Sequence, residues 1–96
     1  MLIITAKLYV DPDRRADFLA GTEDEIRQAR EEPGCVDFVV APDPVEPGRV
    51  NLFEQWASTE DFAVRCATFT PAPSDVEVLR HEATKYEMSS AGPMTP

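Results

Sequence analysis

Strands that carry large apolar side chains on both faces restrict this sequence more than any motif it contains. From Leu2 to Val10 an extended chain would put Leu2, Ile4, Ala6, Leu8 and Val10 on one face, and Ile3, Thr5, Lys7 and Tyr9 on the other. Arg49 to Trp56 repeats the pattern, with Val50, Leu52, Glu54 and Trp56 on its even face and Asn51, Phe53 and Gln55 on its odd face. Neither strand offers a plain solvent side. Each needs cover on two faces, and the rest of the chain must be read with that demand in mind.

Between these strands the spacing changes from two residues to helical. Asp11-Pro12-Asp13 reads as an acidic cap with proline near the first turn, and Phe18, Leu19, Thr22, Ile26 and Ala29 follow as one stripe. Pro33-Gly34 stops that helix. Cys35 to Ala41 reads as a second strand, with Val36, Phe38 and Val40 on one face, and the proline-rich Pro42–Gly48 as a hairpin loop. Ser58 begins a second helix, with Asp61 placed to answer its cap and Phe62, Cys66 and Phe69 as its apolar stripe. Thr70-Pro71-Ala72-Pro73-Ser74 breaks this helix, a short turn fits Asp75 to Val78, and a last strand fits Leu79 to Met88. Residues 1–88 therefore make one domain, and Ser89–Pro96 a polar tail expected to be disordered.

The order is βαββαβ, a ferredoxin-like α+β arrangement with an antiparallel sheet. Two helices cover one face of such a sheet and leave the other bare. A chain of 96 residues buries only about 60–65% of its unfolded surface. A second copy facing the bare side is the simplest supply of cover, so a two-fold homodimer is expected.

Charge excludes some partners. The net charge is −9, from 18 acidic and 9 basic residues. The basic residues are scattered (Lys7, Arg27, Arg49, Arg65, Lys85), apart from Arg14-Arg15. Nothing here neutralises a run of phosphates, so neither nucleic acid nor an acidic membrane surface is an expected partner. No apolar run is long enough to span a bilayer, and Met1–Ala6 runs into a strand pattern with no basic start, unlike a signal peptide. A cytoplasmic location is expected. Cys35 and Cys66 make no disulfide framework and read as small buried side chains. A nucleophilic thiol would want a base, and His81, the one histidine, sits between Arg80 and Glu82 where a surface position is expected. No zinc spacing is present.

Read in register, the helix ending Arg30-Glu31-Glu32-Pro33-Gly34-Cys35, the aromatic Phe38 and the segment Leu52-Phe53-Glu54-Gln55-Trp56-Ala57-Ser58 resemble the antibiotic biosynthesis monooxygenase family, in its small quinol-monooxygenase-like members. Those members carry an E-P-G-C turn before the second strand and an E-x-W at the end of the third. The likeness runs in order from about Leu2 to Met88; each motif alone is short, and the ordered set is specific. Two departures stand out. Arg65 occupies the place, eleven residues after Glu54, where many members have histidine, and Pro71 and Pro73 shorten a stretch that is helical and longer in the family. The resemblance implies a dimeric α+β barrel with a pocket in each subunit between sheet and helices. It also implies oxidation of electron-rich phenols or quinols by dioxygen without metal or flavin.

Such chemistry needs an apolar pocket, a base to form the phenolate, and donors or cations for the anion and peroxide that follow. Trp56, Glu54, Arg65 and Asn51 are the candidate catalytic residues. Trp56 could form a pocket wall and donate one N–H, or pack in the core or dimer interface. Glu54 could be a base with a raised pKa, or pair with an arginine across the sheet or interface. Asn51 could orient a phenolic oxygen or close a turn. Arg65 could hold an anion if it points inward, or belong to a solvated helix face. Thr5, Tyr9 and Tyr86 fall near the pocket or interface, and Phe38, Phe53, Phe62 and Phe69 read as core. The expected function is a cofactor-independent monooxygenase acting on a phenol, quinol or polyketide-derived aromatic. The alternatives are a non-catalytic dimeric binding protein for a small aromatic ligand, a cyclase or isomerase of the same architecture, and a haem degrader, for which the second helix lacks a histidine.

Overall fold

The computed structural model describes residues 1–71 and 73–96. Its elements are β1 (Leu2–Tyr9), α1 (Arg15–Glu31), β2 (Cys35–Pro42), β3 (Arg49–Trp56), α2 (Thr59–Thr68) and β4 (Arg80–Glu87), with a 3₁₀ turn at Pro12–Arg14 ahead of α1. The strands form one sheet in the order β2-β3-β1-β4, every neighbouring pair antiparallel. This is the ferredoxin-like arrangement that the element order implies.

The expected start and stop signals operate as local hydrogen bonds. Asp11 accepts from the Asp13 N–H at 2.9 Å through its carboxylate. Ser58 Oγ accepts from the Asp61 N–H at 3.1 Å and donates to Asp61 Oδ2 at 2.9 Å, so Asp61 answers the cap through the hydroxyl. The phenyl-bearing Phe69 closes α2 with its N–H on the Arg65 carbonyl at 2.9 Å. The expected break at Thr70–Ser74 follows this cap; Ala72 within it lies outside the described residues. Arg15 ties α1 to the β2–β3 hairpin, donating from Nη1 to the carbonyls of Asp43 (3.0 Å), Glu46 (3.0 Å) and Arg49 (3.3 Å).

Register sorts the sheet into two faces. Leu2 opposes Trp56 and Glu87, Ala6 opposes Leu52 and Ala83, and Leu8 opposes Val50 and His81. On this face Leu2, Val50 and Trp56 are wholly buried, with Phe62 of α2 on the Trp56 ring at 6.2 Å between centroids. In β2 the pairing slips between Cys35 and Asp37, leaving Val36 as a bulge residue. Val36 is therefore 55% exposed while Phe38 is buried; the expected alternation holds for Phe38 and Val40 and fails at Val36. The α2 stripe also needs correction. Phe62 and Phe69 are half-buried, but Cys66 is exposed and Arg65 is the buried residue, because Glu25 on α1 and Glu32 at its C-cap draw its guanidinium inward.

The opposite face carries Ile3, Tyr9, Phe53 and Tyr86 with no layer over it among the described residues. The molecule is a slab of 40 × 36 × 19 Å, with a radius of gyration of 14.2 Å against about 12.5 Å for a typical folded chain of this length. Its accessible surface is 6552 Å² against about 5,500 Å² for its mass. All eight residues of β4 are exposed. Among the described residues no helix is long and apolar enough to cross a membrane.

Gly34 marks the tightest point of the chain's path. Its φ of 83° lies in the left-handed region, a Cβ there would collide with the Asp61 carboxylate, and its carbonyl accepts from the Ala57 N–H at 2.7 Å. Gly34→Ala should lower the unfolding free energy by about 1–3 kcal/mol, read as a fall in urea midpoint at unchanged slope. Gly92→Ala, with open space around it, serves as the control and should leave the midpoint in place.

Candidate functional site

The alternation of β3 sends Glu54 and Trp56 toward the helices, and their side chains meet. Trp56 Nε1 donates to Glu54 Oε1 at 3.2 Å. The indole is fully buried, behind Glu54, so it holds the carboxylate and does not form a wall. Beyond Glu54 lies a cleft of about 190 Å³ whose lining includes Phe38, Phe62, Phe69, Glu25, Glu54 and Arg65. Three of the four phenylalanines read as core thus border the cleft, and Phe53 lies on the other side of the sheet.

Arg65 does not belong to a solvated helix face: it is 5% exposed. Its Nη1 donates to Glu32 Oε1 at 2.6 Å and its Nη2 lies 3.7 Å from Glu25 Oε1. The guanidinium carbon sits 3.7 Å from the Phe69 ring centre and 5.7 Å from that of Phe38, a cation over two aromatic faces. Glu25 lies on α1 and Glu32 is its C-cap, seven residues further on, so both reach the same neighbour. Reading the α1 stripe for apolar residues alone passed them over; that seven-residue acidic spacing beside Ala29 was the available signal.

Three carboxylates thus share the field of one guanidinium. Burial pushes the Glu54 carboxyl above its usual range, opposed by the Trp56 N–H and the Arg65 charge and reinforced by Glu25. Burial also raises Glu25, again opposed by Arg65. A carboxylate biased toward proton uptake inside an aromatic cleft can act as a base toward a phenolic O–H.

Asn51 is not part of this group. It lies on the odd face of β3, accepts from Arg49 Nε at 2.7 Å and donates to Asp43 Oδ1 at 2.9 Å. Backbone N–H groups of Glu46 and Val45 and the Asn51 amide hold the Asp43 carboxyl down at about 2, so the turn-closing reading of Asn51 describes its place. Thr5, Lys7, Thr84 and Tyr86 share with Asn51 a hollow of about 420 Å³ on the bare sheet face. Although larger, that hollow lies where a facing subunit would sit, and we assign no chemistry to it.

His81, on β4, is exposed and opposes Leu8 of β1, whereas Cys35 opposes Trp56 at the far end of β3. Imidazole and thiol therefore sit at opposite corners of the sheet. Burial, with the charges of Asp37, Glu54 and Glu32, pushes the Cys35 thiol up, the reverse of an activated nucleophile. Both cysteines are free, Cys35 half-buried and Cys66 exposed, so burial holds only in part for the first and not for the second. Among the described residues no group of three or more His, Cys, Asp or Glu side chains could hold a metal ion.

Comparison with known proteins gives a consistent family. Residues 1–68 match the model of the family described as antibiotic biosynthesis monooxygenase. A candidate antibiotic biosynthesis monooxygenase from Deinococcus radiodurans is 20% identical, with a TM-score of 0.80 over the whole of both chains. The haem degrader MhuD from Mycobacterium tuberculosis, with two haems bound in its active site, is 11% identical, with a TM-score of 0.74 over 97% of this chain and all of its own. These likenesses concern the fold. An uncharacterized protein of Synechocystis sp. is 29% identical over 57% of this chain, which spans 37% of that relative's length.

Arg65 gives the site a pH signature. Glu25 and Glu54 have raised carboxyl pKa values in the fold, so their favourable contribution is complete below the ordinary value of 4.5 and is lost as pH rises through their folded values. Arg65 opposes both shifts, so removing it widens the window. Arg65→Met should cost about 3 kcal/mol of unfolding free energy at about pH 8, and less as pH falls toward the ordinary carboxyl value of 4.5, because protonation relieves carboxylates left without their cation. Urea unfolding of variant and wild type across this range measures the difference, and a pH-independent loss would contradict the shared-field account.

Proposed function

The chain belongs to the antibiotic biosynthesis monooxygenase family, and from that footing we propose that it is a cofactor-independent monooxygenase oxidising an electron-rich phenol, quinol or polyketide-derived aromatic with dioxygen. One observation carries the reading: Glu54, its pKa raised by burial, is oriented by the Trp56 N–H at the edge of a cleft bordered by three phenyl rings.

In this mechanism the rings of Phe38, Phe62 and Phe69 take up the aromatic substrate and exclude water. Glu54 removes the phenolic proton. The phenolate, now electron-rich enough to reduce dioxygen, forms a ring-bound peroxide, whose outer oxygen takes the proton back from Glu54 and leaves as water together with the hydrogen of the attacked ring carbon. One oxygen atom remains on the ring as a second carbonyl and the other leaves as water. The ring supplies the electrons, and the protein supplies proton transfer, orientation and a low dielectric. Trp56 acts as a positioning residue. Arg65 moderates the Glu54 carboxyl through its charge; with Glu32 and Glu25 already on it, it has little charge left for a substrate anion.

That last point favours a second reading, a non-catalytic binding protein for a small aromatic ligand, because a developing peroxide would find no free cation. Haem degradation has less support: α2 offers no histidine, and His81 is exposed on β4. A homodimer is part of the proposal, supported by the uncovered sheet face with Ile3, Tyr9 and Phe53 on it and by the exposed edge strand β4. The free thiol of Cys66 suits a reducing compartment such as the cytoplasm.

Oxygen uptake with a panel of quinols and anthrone-like phenols in metal-free buffer tests the activity. Uptake above autoxidation is expected, falling by about 10²–10⁴ in Glu54→Gln. No uptake with any substrate defeats the oxygenase reading, and an unchanged rate in Glu54→Gln moves the base elsewhere. Sedimentation equilibrium should give twice the chain mass at micromolar concentration; a monomer there would remove the dimer.

A further inference from the structure

We propose that Glu25 is a second catalytic residue of the cleft, the base that takes the hydrogen of the attacked ring carbon as the peroxide breaks. The protein would then have a hydroperoxide-dehydrating activity separable from oxygen uptake. The inference rests on reading the Glu54 cleft as the substrate site.

Stereochemistry asks for a second base. Once dioxygen has joined the ring, the attacked carbon is tetrahedral, with the peroxide on one face of the ring and the hydrogen on the other. Glu54, which returns its proton to the peroxide, stands on the peroxide face. The hydrogen has to be taken from the opposite face by a group within reach. It leaves as a proton to the Glu25 carboxylate, and the C–H electron pair becomes the second bond of the new carbonyl. The O–O bond breaks, its pair leaves with the outer oxygen as hydroxide, and Glu25 gives that hydroxide the proton. The ring carbon is oxidised, the peroxide is reduced, and one water departs.

The fold places a carboxylate where this step wants one. Glu54 comes from β3 and Glu25 from α1, so they border one cleft from the sheet layer and from the helix layer. Among the described residues bordering it they are the two carboxylates; Arg65 is a permanent cation, and Cys66 is an exposed thiol. Nor is Glu25 spent on structure. Arg65 gives its hydrogen bond to Glu32 at 2.6 Å, whereas Glu25 Oε1, 3.7 Å from Nη2, lies beyond hydrogen-bond reach. Burial strengthens the hold of Glu25 on a proton, and the Arg65 charge limits that rise. Its side chain is 32% exposed, so it can exchange that proton with water.

Tetralin hydroperoxide, which carries one hydrogen on its peroxide-bearing ring carbon, isolates the step in buffer free of dioxygen. Wild type should convert it to tetralone, the ketone, and not to the alcohol that a thiol reductant would give. Deuterium on that carbon should slow the reaction severalfold, and cumene hydroperoxide, with no hydrogen there, should give no ketone by this route. Glu25→Gln should lose about 10²–10⁴ in rate. Glu25→Asp keeps the charge beside Arg65 but withdraws it by one methylene, and should lose roughly 10². Glu31→Gln, at an exposed position of α1, should match wild type. Tetralone formation no faster than in protein-free buffer, the absence of an isotope effect, or rates in both Glu25 variants within about twofold of wild type overturns the proposal. So does a larger loss in Glu54→Gln than in Glu25→Gln, which would assign the step to Glu54. Because the peroxide is supplied ready-made, a failure of oxygen uptake would count against the oxygenase reading alone.

Discussion

The buried guanidinium of Arg65 is the interaction on which the site depends. Helix α2 is short, ten residues, and a helix of that length has little stability by itself. Its cap at Ser58 begins it, and the Phe62–Trp56 contact seats one end on the sheet. The other end is held by Arg65 reaching Glu32 at the C-cap of α1, with its guanidinium near the rings of Phe69 and, farther off, Phe38 of β2. Because an ionised side chain is costly to bury alone, the partners define where α2 can sit. That placement defines the cleft in front of Glu54.

Much of the architecture could be read from periodicity because each element has a strong local cause. The two-residue alternation of Leu2–Val10, the proline and aspartate before α1, Pro33-Gly34 after it and the Ser58 cap each act within a few residues. The bulge at Val36 could not be read this way, since it is a pairing event between Cys35–Asp37 and the end of β3. The site was half legible for the same reason. Glu54 and Trp56 share a strand face by simple alternation, so their meeting follows from sequence. The fate of Arg65 depends on two glutamates about thirty and forty positions earlier, and Asn51 was diverted by Asp43 across the hairpin. Neither relation has a local signature.

The two faces of the sheet divide the labour. One is filled by Leu2, Val50 and Trp56 and positions Glu54. The other carries Ile3, Tyr9 and Phe53 beside the polar hollow around Asn51 and Thr5, and β4 is exposed along its whole length. A strand at an open edge with its side chains uncovered is a liability for a lone chain. With net charge −9, random association is opposed by repulsion, so a productive partner would need to match shape closely. The homodimer proposed above would have to meet that requirement with one self-complementary face, as any two-fold interface does.

The break after α2 ties these features together. Pro71 and Pro73 cannot continue a helix, and Val76, buried at 7% exposure, anchors the return to β4. Leu79 then donates its N–H to the Tyr9 carbonyl at 2.7 Å, starting the last strand pair. The same stop also sets where the last strand begins: with α2 ended at Thr68, the chain reaches Leu79 in time to pair beside Tyr9, so β4 takes the sheet edge next to β1.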